Sequence, residues 1–273
     1  MASDSSHEQS RRRFLQTSSW SLASGLAIVA GPAPSEAQSS STSVNPGQRS
    51  GSGLTPTDTA VVFIDPQNDV LSEKGRAWAA VGQSVTENKT VENMERIFKT
   101  AKQRGFEVFI SPHYFYPTDS GWKFNGPLEA SEAADKLFAR RGVLNLDGFV
   151  GSGADWLERF KPYIEDGKTI VASPHRVFGP QTNDLVLQLR KRRMAKVILG
   201  GMLANMCVES HLRDLLEHGF EVTVARDATA APRHPQWGYG YTAALINFQF
   251  LAHGVLSTDE VINAMNSATG SSG

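Results

Sequence analysis

The chain has 273 residues, 40% of them hydrophobic and 20% charged, with 27 Lys and Arg against 28 Asp and Glu for a formal net charge of -1. That balance leaves no field of one sign to draw in nucleic acid or an anionic membrane, so neither is expected as a partner. The only cysteine, Cys207, excludes an internal disulfide.

In chain order, residues 10–38 come first: SRRRFLQTSSWSLASGLAIVAGPAPSEAQ. An arginine cluster, Phe14-Leu15, a stretch of small and apolar residues and a small-residue SEA ending at Ala37 have the layout of a signal peptide. The paired arginines resemble a twin-arginine export signal. The other readings are a disordered basic tail or a membrane anchor, but the apolar part is too short and too rich in Ser and Gly for a stable span of ~20 residues. The sequence therefore predicts a signal over residues 1–37 and a periplasmic mature protein with no stable membrane association after export. Residues 38–57, dominated by Ser, Gly, Thr and Pro, read as a disordered linker.

From residue 58 to 267 short apolar runs alternate with helical patterns. TAVVFID (59–65), EVFISP (107–112), TIVASP (169–174), KVILGG (196–201) and EVTVARD (221–227) are β-branched and nearly continuous, the mark of strands buried on both faces. Amphipathic segments at 91–105, 183–194 and 205–219 read as helices, two of them closed by Gly105 and Gly219. Segment 239–254 supplies another, and 261–265 sits in a last one. Strand and helix in turn predict an α/β fold, a parallel sheet wrapped by helices. Its chemistry belongs beyond the carboxyl ends of the strands: Asp65, Pro112-His113, His175-Arg176, the turn before Cys207, and Asp227. Residues 114–167 form a long excursion that would cover the site as a lid or meet a partner.

Cys207 follows GGMLANM after a buried strand, which places it in the first turn of a helix. There the helix dipole favours a thiolate able to attack a carbonyl carbon, although free cysteines more often only fill space. Asp65 leaves its strand into Pro66, either at a site mouth or as the start of a DPQND turn.

VVFIDPQNDV, ILGGMLANMCVESHLRDLLEHGFEV and VARDATAA, in this order, resemble the isochorismatase-like cysteine hydrolases, among them nicotinamidases, carbamoylsarcosine amidases and ureidoacrylate hydrolases. The resemblance covers residues 58–256. It implies a three-layer sandwich with a six-stranded, mainly parallel sheet, and a hydrolase of small amide, ureido or carbamoyl compounds acting through a thioester. By position it makes Asp65 the general base and Cys207 the nucleophile. It also implies a non-proline cis peptide at Met202-Leu203 and an oxyanion hole from the N–H groups of Leu203 and Cys207.

The family's catalytic lysine has no counterpart in ASPHRVFGPQTNDL (172–185). His175 or Arg176 falls nearest the vacancy, and either, protonated, would place a positive charge beside Asp65; His175, which unlike Arg can also give up its proton at working pH, is preferred as the third catalytic residue. Arg176 is alternatively a substrate contact or an ion-pair partner of the TND turn. His113 and Tyr114 are expected to line the substrate site, while Phe115, Tyr116 and Trp122 either wall the pocket or pack the loop. Nicotinamidases hold a metal on an Asp and His cluster, but SPHYFYPTDSGWKFNG offers one His and one Asp, so no metal and no cofactor is expected. His211, one turn after Cys207, would reach His113 or His175 only if its helix points into the site. Glu209, Arg213 and Asp214 read as ion-pairing residues, some at a subunit contact, since members of the family are usually homo-oligomers. The alternatives are a vinyl-ether hydrolase, which does not need the cysteine, and a catalytically silent ligand-binding relative.

Overall fold

The computed structural model describes residues 53–268; the expected signal and most of the expected linker lie outside them. By Leu54 the chain is already packed against the core. The Thr55 carbonyl accepts the N–H groups of Asp58 and Thr59, turning the chain into the first strand.

In chain order the elements are β1 (Thr59–Ile64), α1 (Asn68–Leu71), α2 (Trp78–Glu87), α3 (Thr90–Arg104), β2 (Glu107–Ser111), α4 (Pro127–Asp135), α5 (Lys161–Ile164) and β3 (Ile170–Val171). They continue with α6 (Leu185–Lys191), β4 (Lys196–Met202), α7 (Glu209–Glu217), β5 (Glu221–Ala230), β6 (Arg233–His234), β7 (Gly238–Tyr239), α8 (Gly240–Leu251), β8 (Gly254–Leu256) and α9 (Thr258–Ser267). Six strands form one sheet in the order β3-β2-β1-β4-β5-β8, and every adjacent pair is parallel. The five apolar runs of the sequence account for five of these strands. The sixth, β8, is only three residues long, too short to carry a periodicity.

Because successive side chains on a strand face opposite ways, β1 feeds two separate cores. Val61 and Phe63 pack with Met94, Ile97 and Phe98 of α3, while Ala60, Val62 and Ile64 pack on the other face with Leu185 of α6, Leu212 of α7 and Phe248 of α8. The result is the expected three-layer sandwich. Helix α3 ends as the sequence predicts, at Gly105 in left-handed backbone with φ 76.

The strand order reverses between β1 and β4, since β2 and β3 are added on one side and β5 and β8 on the other. At such a switch point the loops diverge and leave a crevice at the strands' carboxyl ends. There β1 and β4 approach so closely that a Cβ on Gly201, whose φ is 107, would lie 2.1 Å from the Ile64 carbonyl oxygen.

The excursion between β2 and β3 folds back over the crevice of its own chain. Asn68 and Asp69 donate their N–H groups to the carbonyls of Asp155 and Gly153, both at 2.9 Å, and Leu157 donates to Pro66 at 3.1 Å. Buried Asp69 latches a second point, accepting the Phe138 N–H at 2.6 Å and the Arg76 N–H at 3.2 Å. Among the described residues no helix is long and apolar enough to cross a membrane.

Replacing Gly201 by Ala is expected to destabilise the protein by about 2 kcal/mol or more in denaturant unfolding, since positive φ and a steric overlap add. Gly105→Ala, where φ is 76 but nothing lies within 4 Å, should cost only about 1 kcal/mol; equal losses would refute the close-approach argument. Asp69→Asn keeps the shape but removes one acceptor. Cleavage within 139–152 by a protease should accelerate roughly tenfold, matching the loss of about 1.5 kcal/mol for a hydrogen bond to a charged group.

Candidate active site

Four strand ends supply the site. Asp65 follows β1, His113 follows β2, His175 follows β3, and Cys207 lies in the π-helical turn Ala204–Val208 between β4 and α7. Donor atoms of these four side chains all lie within 4.8 Å of one another. The cluster is closed off from solvent: Asp65 and His113 are 1% exposed, His175 0% and Cys207 6%.

Asp65 adopts left-handed backbone with φ 49, a conformation that Asp tolerates better than most residues. Its N–H donates to the Ser111 carbonyl at 3.0 Å and its own carbonyl accepts the Gln67 N–H at 2.7 Å, so the turn is pinned on both sides. Burial pushes the Asp65 carboxyl up to about 7, against the opposing pull of His113, His211 and Cys207.

Of the two residues nearest the missing lysine, His175 is the one that lies beside Asp65. Its Nε2 is 2.9 Å from Asp65 Oδ1. Arg176 turns away; its guanidinium pairs with Asp119 at 2.6 Å and stacks 4.3 Å above the Tyr116 ring. It therefore ties down the excursion, and its partner is neither Asp65 nor the TND turn. The expectation of a positive charge beside Asp65 is also corrected, because burial drives His175 down to about 3 and leaves a neutral imidazole.

His113 is held by both backbone and ring. Gln67 accepts the His113 N–H at 2.9 Å and donates to the carbonyls of His113 and Ala154, at 2.9 and 2.8 Å. The ring's Nε2 donates to the Arg176 carbonyl at 3.0 Å, and its face stacks on Phe138 at 4.7 Å. Burial pushes this ring, too, down to about 3. Tyr114 is turned into the excursion's own packing, with Tyr116, Phe149 and the Arg140 guanidinium around its ring. Phe115 and Trp122 likewise pack against each other.

The cis peptide is present at Met202-Leu203. The Leu203 backbone N–H acts on the Cys207 sulfur, stabilising the thiolate, but burial first and then the charges of Asp65 and Glu132 outweigh it and raise the thiol well above its ordinary value. The resting sulfur is a protonated thiol, not the thiolate that a helix dipole alone suggests; desolvation wins over the dipole. Its Sγ lies 3.7 Å from the Val177 carbonyl.

His211 does point inward, yet it is fully committed. Its Nδ1 donates to the Cys207 carbonyl at 2.7 Å, and its Nε2 accepts from Ser111 Oγ at 2.8 Å, which in turn accepts from Asn183 Nδ2 at 2.8 Å. Both of its ring nitrogens are thereby taken, and His211 is not available as a metal ligand. The expectation of no metal rested on the donors of residues 111–126; the fold instead gathers Asp65, His113, His175 and Cys207 from four strand ends into a set that could hold an ion.

Two site residues escape a reading by sequence. Gln67 lay inside DPQND and read as part of a turn. Glu132, on α4, brings Oε2 to 3.9 Å from His113 Nε2 and is 6% exposed. Burial, then Asp65 and Glu129, push its carboxyl up to about 8. Nothing in the spacing of α4 marks one glutamate of PLEASEAAD as the inward one. Glu209 and Asp214 are half-buried and Arg213 is exposed; Glu209 pairs with Arg213 at 2.8 Å and accepts from Asn247 of α8, and Asp214 accepts from Gln181.

The family model for the isochorismatase domain matches residues 59–255. The ureidoacrylate amidohydrolase RutB of Acinetobacter baylyi is 30% identical over 59% of this chain and 66% of its own length, just under two thirds. RutB of Caulobacter segnis is 28% identical over 71% of this chain and 80% of its own. Among solved structures, a cysteine hydrolase from Pseudomonas syringae pv. phaseolicola superposes with a TM-score of 0.66 at 20% identity, covering 80% of this chain and 96% of that one. The N-carbamoylsarcosine amidase of Thermoplasma acidophilum gives 0.54 at 20% identity, covering 74% and 97%. At those identities the structures speak for the fold alone. With the family model spanning well over half of the chain and the fold matched as well, the chain belongs to the isochorismatase family of hydrolases.

Proposed function

We propose that this hydrolase cleaves a C–N bond of a small amide, ureido or carbamoyl compound through a thioester on Cys207. The observation that carries the reading is the meeting of Asp65 and Cys207 at the switch point, within 4.8 Å of each other and shielded from water. The names of the RutB relatives, ureidoacrylate amidohydrolases, support a ureido substrate.

In the proposed cycle the Asp65 carboxylate takes the Cys207 thiol proton as sulfur bonds to the carbonyl carbon. The N–H groups of Leu203 and Cys207 receive the oxyanion. The C–N bond then breaks, the Asp65 proton goes to the leaving nitrogen, and a water activated by Asp65 hydrolyses the thioester and restores the thiol. A carboxyl held near 7 by burial is matched to accept and return a proton at neutral pH. Neutral His175 is a positioning residue that donates Nε2–H to Asp65 Oδ1 and fixes the carboxylate's orientation. With the crevice closed, substrate entry requires the excursion latched at Asp69 to open. We also propose, from residues 10–37 alone, that the protein acts in the periplasm, which cell fractionation tests.

Screening for ammonia release from ureido acids, carbamoyl amino acids and simple amides should find turnover that Cys207→Ser and Asp65→Asn each lower at least ~10³-fold. Turnover of a vinyl ether that survives Cys207→Ser would instead establish the alternative chemistry. A chain silent on every class would establish a ligand-binding relative, a reading motivated by the missing lysine. The wild-type kcat/KM should rise with pH through about 7, since the carboxyl must lose its proton to act as base. His175→Lys, measured in chelator-treated protein, places an ammonium beside that carboxyl, favours the ionised form and should move this limb to lower pH; an unmoved limb would show that Asp65 is not the group being titrated.

A further inference from the structure

We propose that Asp65, His113, His175 and Cys207 also form a closed four-donor site for a divalent cation of borderline softness, Zn²⁺ foremost, which holds the protein in an inactive form. The donor set is one thiolate, two imidazoles and one carboxylate, all types that zinc accepts. Their donor atoms are already within 4.8 Å of one another, and His175 Nε2 and Asp65 Oδ1 are 2.9 Å apart. Zinc bonds of ~2.0–2.3 Å put ligands roughly 3.5 Å apart around a tetrahedron, so the set closes on an ion by side-chain movements of about 1 Å.

A second observation points the same way. His113 is buried, and its Nδ1 has no hydrogen-bond partner among the described residues. In His113 the other nitrogen donates to the Arg176 carbonyl, and Gln67 clamps the residue's backbone. A backbone carbonyl receiving the second ring N–H is the usual outer partner of a metal-bound histidine, and it leaves Nδ1 as a bare lone pair. Charge agrees as well. A carboxylate and a thiolate neutralise a dication, so the occupied site buries no uncompensated charge.

Four protein donors leave no open position for a hydrolytic water, which separates this site from a catalytic zinc centre. The bond to zinc forms as the thiol proton leaves to solvent, and the coordinated sulfur is no longer free to attack carbon. The inhibitory consequence rests on the proposed hydrolysis; the binding does not.

The test titrates the full chain, freed of metal by a chelator, with Zn²⁺ and with Co²⁺ in the absence of substrate. One Zn²⁺ per chain is expected, and X-ray absorption of the wild-type complex should show one sulfur and three nitrogen or oxygen neighbours. The Co²⁺ form should show a sulfur-to-metal charge-transfer band that Cys207→Ser abolishes. His113→Ala should weaken Zn²⁺ binding by more than the roughly 10–100-fold that an outer partner is worth. A coordination shell without sulfur, equal affinity in His113→Ala and wild type, or no stoichiometric binding would each overturn the proposal. Zinc binding without any C–N turnover sinks the proposed hydrolysis and leaves the site; turnover without zinc binding does the reverse. Where both hold, Zn²⁺ abolishes turnover and a chelator restores it.

Discussion

Everything at this site follows from taking one carboxylate out of water. Asp65 is buried at the end of β1 with neutral imidazoles and a thiol around it, and among the described residues no cationic group stands at hydrogen-bond distance. A formal positive charge in that place would hold the carboxylate firmly ionised. A neutral His175 gives orientation without that pull, so the acid lies near 7, where protons go on and off with little cost. The same dehydration raises the Cys207 thiol and empties the histidines of charge. The local chemistry is that of three uncharged groups, His113, His175 and Cys207, around one carboxyl poised between its two forms.

The fold earns this arrangement through backbone rather than through side-chain packing. The reversal of strand order places the ends of β1 and β4 side by side, and the absence of a side chain at Gly201 lets them touch. The left-handed turn at Asp65 then directs the chain out of the sheet while its own N–H and carbonyl are bonded to Ser111 and Gln67. Gln67 joins the two sides of the crevice, reaching both His113 and the covering segment. A strand end, a turn and one amide side chain thus set the positions of the reactive groups.

Much of this was legible in the sequence because buried parallel strands leave long apolar runs. Those runs fix where each strand ends, and hence that Asp65, His113, His175 and Cys207 share one edge of the sheet. The resemblance added the cis peptide at Met202-Leu203 and the pairing of Asp65 with Cys207. What stayed hidden depends on distances between segments far apart in the chain. Whether His175 or Arg176 faces Asp65 turns on one backbone bend, and Asp119, the partner that draws Arg176 away, is 57 residues distant. The protonation of Cys207 was misread because a helix terminus is visible in sequence and desolvation is not. Glu132 reaches the site from a helix whose pattern is nearly featureless, so only the folded-back path of residues 114–160 reveals it.

The cover over the crevice is fastened largely by main-chain groups, Gly153, Asp155 and Phe138 meeting Asn68 and Asp69. Bonds of that kind are indifferent to most side chains along the covering stretch. The exposed residues 143–148 can therefore diverge among descendants of such a chain, altering which molecules gain entry, while the reacting groups beneath are inherited unchanged. Selectivity and reactivity are in this architecture separable traits, open to evolve at different rates.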